Sequence, residues 1–314
     1  MNNKEFIQKF FKGRAVTRPP FIPLLGTYVT KVDQINPDQL YSDPGKLVAA
    51  ISNTQQLLGY DPLIFPIDST AEAEALGARV KWKDNEMPSI QKYIATDRPV
   101  EIETIQNAGR IPVILEAVKR MEKVSGREQP IIVTATGPFT VLKQLYGEEH
   151  LKELATDQFE EKLEAITQAL VLLCKDFGDN KVSGILVYED IDYEMYPVEN
   201  VKRFYSPIFN VIKYYNIFGI LRIPEQTKKV APTVSDTVIG SQELLLKQKC
   251  RMKGISVRET FWNESLNQEG YRTLWHENKK RRLFFSTSKP LDTTIDLPIV
   301  QEKISYMCDQ KTWV

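Results

Sequence analysis

The chain has 314 residues, 42% of them hydrophobic, and 41 Lys and Arg balance 41 Asp and Glu, so its formal net charge is zero. That is enough apolar mass for one barrel-sized core or two smaller ones. The balanced charge gives no global field to recruit nucleic acid or an anionic membrane surface, and no apolar run approaches the roughly 20 residues of a membrane span.

The N-terminal residues lack an apolar signal core, and Cys174, Cys250 and Cys308 are too scattered for a disulfide framework. A cytoplasmic protein is expected. Along the chain, the segment before Pro19 reads as an N-terminal helix. Strands rich in Val, Ile, Leu and Phe are predicted at residues 21–25, 63–66, 131–135, 184–189, 218–223, 236–240, 254–258 and 282–286.

The helices between them are punctuated. Asp43 caps a helix with Pro44 at its first position, and Gly59 follows its last residue, Leu58. The long connection from Pro66 to Ile131 holds an Arg79-Val80-Lys81-Trp82 alternation that predicts a hairpin strand. A helix near residues 111–124 follows it. Asp157 opens a longer helix in which Phe159, Leu163, Ile166, Leu170 and Leu173 recur at three- and four-residue steps. Pro197 opens another that reaches about Tyr215, and Pro298 opens the last.

Eight buried strands with helical connections predict an α/β fold, a (β/α)8 TIM-type barrel with a long insertion after the second strand, as one domain over residues 1–314. An open doubly wound sheet is the alternative. No Gly-x-Gly-x-x-Gly follows a strand, which argues against a dinucleotide-binding form of it.

In such a barrel the chemistry sits at the C-terminal strand ends. In strand order these ends carry Thr27 and Tyr28; Asp68, Ser69 and Thr70; Thr136, Gly137, Pro138 and Phe139; Glu189, Asp190 and Asp192; Arg222 and Glu225; Arg258 and Glu259; and Ser286, Ser288 and Lys289. One reading is a polar or anionic ligand held by Arg222, Arg258 and Lys289, with Asp68 as acid, base or charge stabiliser. The plainer reading is a rim of mutually neutralising charges.

Glu72, Glu189, Asp190 and Glu225 join the candidate substrate contacts, and Tyr28, Tyr146 and Tyr188 are candidate pocket walls. The acidic run from Glu189 to Glu194 would suit a hard cation, or it is a solvated loop. His150 and His276 have no partner at metal-ligand spacing, and no Cys-x-x-Cys, Gly-x-Ser-x-Gly or phosphate-loop pattern occurs.

Five segments together resemble the uroporphyrinogen decarboxylase superfamily, in a form close to its cobalamin-dependent methyltransferase branch. They are Arg18-Pro19-Pro20-Phe21-Ile22-Pro23, Gly59-Tyr60-Asp61, the Asp68-to-Ala78 motif, Thr136-Gly137-Pro138-Phe139-Thr140-Val141-Leu142 and Leu221-Arg222-Ile223-Pro224. The resemblance implies a distorted barrel and puts Asp68 where the decarboxylases carry their catalytic aspartate.

Two departures bear on the chemistry. Pro23-Leu24-Leu25-Gly26-Thr27-Tyr28 lacks the arginine with which the decarboxylases grip substrate carboxylates. Arg222-Ile223-Pro224 stands where the methyltransferases carry zinc-binding His-x-Cys. The expectation is a corrinoid-linked methyltransferase relative without zinc-thiolate activation. The alternatives are a tetrapyrrole- or partner-binding barrel without turnover, or, further off, a true decarboxylase. No tightly bound cofactor or metal is expected. Cobalamin would be presented by a corrinoid protein, beside a small-molecule methyl donor or acceptor, and a homodimer is compatible with this reading.

Overall fold

Runs of β-branched and aromatic residues form ten strands in the computed structural model: β1 (Phe21–Ile22), β2 (Leu63–Ile64), β3 (Arg79–Lys81), β4 (Ser89–Lys92), β5 (Ile131–Thr136), β6 (Gly184–Tyr188), β7 (Phe218–Arg222), β8 (Thr237–Gly240), β9 (Met252–Val257) and β10 (Leu283–Thr287). The structure describes residues 2–65, 68–83, 86–192, 200–228, 235–263, 268–278 and 282–313. Eight strands pair in parallel in the order β1-β10-β9-β8-β7-β6-β5-β2, and β3 and β4 form a separate antiparallel hairpin.

This order takes the barrel strands in sequence around a ring, which is the (β/α)8 arrangement and not a doubly wound sheet. The insertion after the second barrel strand holds the β3–β4 hairpin as predicted. Its strand ends at Lys81, one residue before Trp82.

The helices are α1 (Asn3–Phe11), α2 (Tyr28–Asp33), α3 (Pro37–Leu40), α4 (Pro44–Leu58), α5 (Ala71–Ala75), α6 (Ile111–Ser125), α7 (Pro138–Tyr146), α8 (Glu148–Lys152), α9 (Thr156–Asp179), α10 (Lys202–Tyr214), α11 (Gln242–Lys247), α12 (Gln268–Glu277) and α13 (Leu297–Cys308). The Asp43 carboxylate accepts from the N–H groups of Gly45 and Lys46, and Gly59 takes a φ of 74° at the other end of α4. The predicted start of a helix at Pro197 lies outside the described residues, and α10 is described from Lys202.

β1 is shorter than the predicted 21–25. Pro23 has no N–H to give a ladder, and the Leu24 N–H goes to the Thr287 hydroxyl at 2.9 Å. β1 and β2 therefore end the ladder on either side of a seam. Asp61 bridges it, because its carboxylate accepts from the Phe21 N–H at 2.7 Å and its own N–H reaches the Phe21 carbonyl at 3.4 Å. Both Arg18 amino groups clamp the same carboxylate, at 2.9 and 2.5 Å.

α1 closes the opposite, N-terminal end of the barrel. Phe11 stacks on Phe218 with ring centres 4.5 Å apart, and Phe10 meets Phe284 edge-on at 6.0 Å.

Candidate functional site

Side chains alternate along a strand, so Phe218, Ile220 and Arg222 share one face of β7. Phe218 meets the plugging helix, so this face lines the barrel interior and Arg222 stands at its upper end. Its guanidinium carbon lies 4.6 Å above the Tyr188 ring. One amino group donates to the Glu189 carbonyl at 2.5 Å and the other to the Ser288 carbonyl at 2.6 Å. Arg222 thus braces the ends of β6, β7 and β10 across the mouth. Its Nε is buried and makes no hydrogen bond.

Glu189 directly follows Tyr188, so its side chain turns to the opposite side, toward the helical layer. The buried carboxylate accepts from the N–H groups of Phe139 (3.2 Å) and Thr140 (2.9 Å) and from the hydroxyls of Thr140 (2.6 Å) and Tyr205 (2.7 Å). It therefore caps the N-terminus of α7. Gly137 is required beside it, since a Cβ there would sit 2.3 Å from the Glu189 carboxyl carbon. The predicted acidic cluster is accordingly split. Glu189 faces the helices, Asp190 is exposed beside Arg222 at 3.5 Å, and Tyr193 and Glu194 lie outside the described residues.

Asp68 is buried and engaged on both oxygens. Oδ1 accepts from the Thr70 N–H at 3.1 Å and the Thr70 hydroxyl at 2.9 Å, and Oδ2 accepts from Arg110 Nε at 2.7 Å. Arg110 also reaches Glu74 at 2.7 Å and the Thr70 hydroxyl at 2.8 Å, and its guanidinium lies 4.9 Å over the Trp82 ring. Arg110 is absent from the sequence expectations. It stands 42 residues from Asp68, and only the return of the insertion to the barrel mouth brings the two together. Pro66 and Ile67, just before Asp68, lie outside the described residues.

Glu72 is also buried and accepts from the Thr136 N–H at 2.8 Å and hydroxyl at 2.6 Å. Burial pushes its carboxyl up to about 7, with the Asp68 charge adding to the effect, and burial pushes Glu189 up to about 7 as well.

These shifts carry a sign. The folded protein keeps protons that the unfolded chain releases above its ordinary value of 4.5. The stability contributed is present below about pH 4.5 and is lost as pH rises through about 7. Each carboxyl accounts for roughly 3 kcal/mol over that window. Urea unfolding across the window should show falling stability, and Glu189→Gln should flatten the slope. A flat wild-type profile would contradict the assignment.

The other candidates fall into two groups. Asp190, Arg258, Glu259 and Lys289 form an exposed rim, in which the Lys289 ammonium bonds Glu259 at 2.7 Å. Glu225, three residues after Arg222, is half-buried with Oε1 enclosed and unpartnered, as is the Thr227 hydroxyl. Tyr28 and Tyr146 are spent elsewhere. The Tyr28 hydroxyl donates to the Ile295 carbonyl at 3.0 Å. Tyr146 ends α7, away from the mouth, where it lines a cavity of about 430 Å³ between residues 96–100 and α9.

The comparisons agree with this architecture. A family model for uroporphyrinogen decarboxylase (URO-D) matches residues 2–212. Methylcobamide:CoM methyltransferase MtbA of Methanosarcina acetivorans is 28% identical over 185 residues, covering 56% of this chain and 52% of that protein. MtbA of Methanosarcina mazei gives the same figures, so the match spans about half the length of these curated relatives. Among solved structures, a methyltransferase from Methanosarcina mazei superposes with a TM-score of 0.74 at 16% identity, covering 98% of each chain. A B12-independent methionine synthase from Shewanella sp. W3-18-1 gives 0.58 at 13% identity, over 94% of this chain and 96% of that one. At these identities the likeness is one of fold. The family match runs from α1 into α10 and takes in the seam, the Asp68 motif and the α7 cap, so the chain belongs to the uroporphyrinogen decarboxylase (URO-D) family.

Proposed function

We propose that this chain is a corrinoid-linked methyltransferase that works without zinc-thiolate activation. The MtbA relatives supply the reaction class. The observation that carries the zinc-free form is Arg222, a buried guanidinium fixed at the mouth by two carbonyls.

The residues there do not fit zinc. Arg222, Ile223 and Pro224 offer no side-chain ligand for it. Cys174 is buried in α9 and Cys308 stands in α13 beside the Arg18–Asp61 pair. Among the described residues no group of three or more His, Cys, Asp or Glu is placed to hold a metal ion. Arg222 instead supplies a fixed positive potential that favours an anionic methyl acceptor over its protonated form. The exposed rim of Asp190, Arg258, Glu259 and Lys289 would meet a corrinoid carried by a separate protein.

One observation favours a second reading, a barrel that binds a tetrapyrrole or a partner without turnover. Both Asp68 oxygens are held by hydrogen bonds of the fold. Uroporphyrinogen decarboxylation itself is disfavoured by Thr27, which is buried where that chemistry uses an arginine.

Spectroscopic titration of the purified chain with cobalamin, with and without methyl donors, separates the first two readings. Methyl transfer should appear as a donor-dependent change in the corrinoid spectrum. Arg222→Ala should slow that change by on the order of 100-fold or more. Elemental analysis should find no stoichiometric zinc, and incubation with uroporphyrinogen should yield no coproporphyrinogen. A tightly bound zinc would overturn the role given to Arg222.

A further inference from the structure

Glu72 is buried and accepts from the Thr136 N–H and hydroxyl, and among the described residues no cation is paired to it. Glu72 and Asp68 both line one small void. Tyr41, Phe65, Asp68, Glu72 and Thr134 contribute to its wall, and it offers about 10 Å³ to the centre of a water-sized sphere. That is room for one water, provided two to four polar groups can bond it.

The wall supplies them. The Tyr41 hydroxyl is fully buried and makes no hydrogen bond, so it has a proton to donate. Asp68 Oδ2 and both Glu72 oxygens each keep an unused lone pair beyond the bonds described above. Tyr41 senses the Asp68 charge, and Glu72 senses it too, so the three groups already share one electrostatic neighbourhood. The other titratable groups around them are Arg110 and Glu74 on the Asp68 side and Cys174 of α9 on the Glu72 side.

We propose that this void holds one ordered water that accepts from the Tyr41 hydroxyl and from protonated Glu72, donates to Asp68, and passes a proton between the two carboxyl groups. In the transfer, protonated Glu72 gives its proton to the water oxygen as the water gives one of its own to the Asp68 carboxylate. The water is regenerated, and the single proton and single negative charge exchange places. Glu72 is then a proton store behind Asp68 and not a substrate contact. The use of this store in methyl transfer rests on the function proposed above; the water and the exchange do not.

A crystal structure of the wild-type chain at atomic resolution should show a density peak within hydrogen-bond distance of Tyr41 Oη and of both carboxyl groups. An empty void overturns the proposal. Infrared difference spectroscopy gives a second reading, with Glu72→Gln assigning the protonated-carboxyl band of Glu72 apart from that of Glu189. Tyr41→Phe should shift the Glu72 band, and Asp68→Asn should move its titration to lower pH. A band unmoved by Tyr41→Phe, or a titration unmoved by Asp68→Asn, overturns it. A negative corrinoid titration would fell the proposed function and leave these infrared results standing.

Discussion

Asp61→Ala should destabilise the barrel by about 3–5 kcal/mol, the cost of stripping one partner from a buried ion pair. Asp61 is 1% exposed at its side chain, and Arg18 only 14%. Its carboxylate is the acceptor for the Phe21 N–H at the point where β1 and β2 part. The substitution leaves that N–H without its acceptor and the Arg18 guanidinium without its carboxylate at the seam. Asp61→Asn keeps one acceptor oxygen and should cost less. Urea unfolding followed by tryptophan fluorescence measures both. A loss below about 1 kcal/mol in Asp61→Ala would mean that the seam is held by packing alone.

Arg110→Met should cost a similar amount, about 3–5 kcal/mol, because it removes the cation from two carboxylates at once. Asp68 is 1% exposed and Glu74 23%, so Asp68 bears most of the loss. Asp68→Asn in the same background should recover part of it, with a coupling of roughly 0.5–3 kcal/mol in the double-mutant cycle. Trp82 stacks on the guanidinium and should report its removal by fluorescence. The functional arm is separate. Asp68→Asn retains an oxygen for the Thr70 bonds, so it should fold yet lose methyl transfer. Full transfer in that variant would move the reactive centre away from Asp68.

The elements were legible because local signals coincide with what the chain must bury. The Asp43 cap, the Gly59 stop and the three- and four-residue spacing of Phe159, Leu163, Ile166, Leu170 and Leu173 all stand in α4 and α9 as the sequence implies. Asp61 was visible only as part of a family segment, and its work at the seam depends on Phe21, 40 residues away. Arg110 gave no local sign, since a guanidinium before a helix is unremarkable until the fold returns it to Asp68.

Orientation decided the rest. Tyr188 and Glu189 are neighbours in sequence at one strand end, yet a period of two sends the tyrosine under Arg222 and the glutamate into the helix cap. A list of polar residues at strand ends does not distinguish them, because both types of position follow the same strand. The sequence by itself determined the alternation of strands and helices and the polar character of the strand ends, and its family resemblance pointed to the barrel over an open doubly wound sheet, because such alternation closes in few ways. Only the tertiary structure decided which of those polar groups face the opening and which are consumed by the fold. Burial and hydrogen-bond saturation depend on partners tens of residues distant.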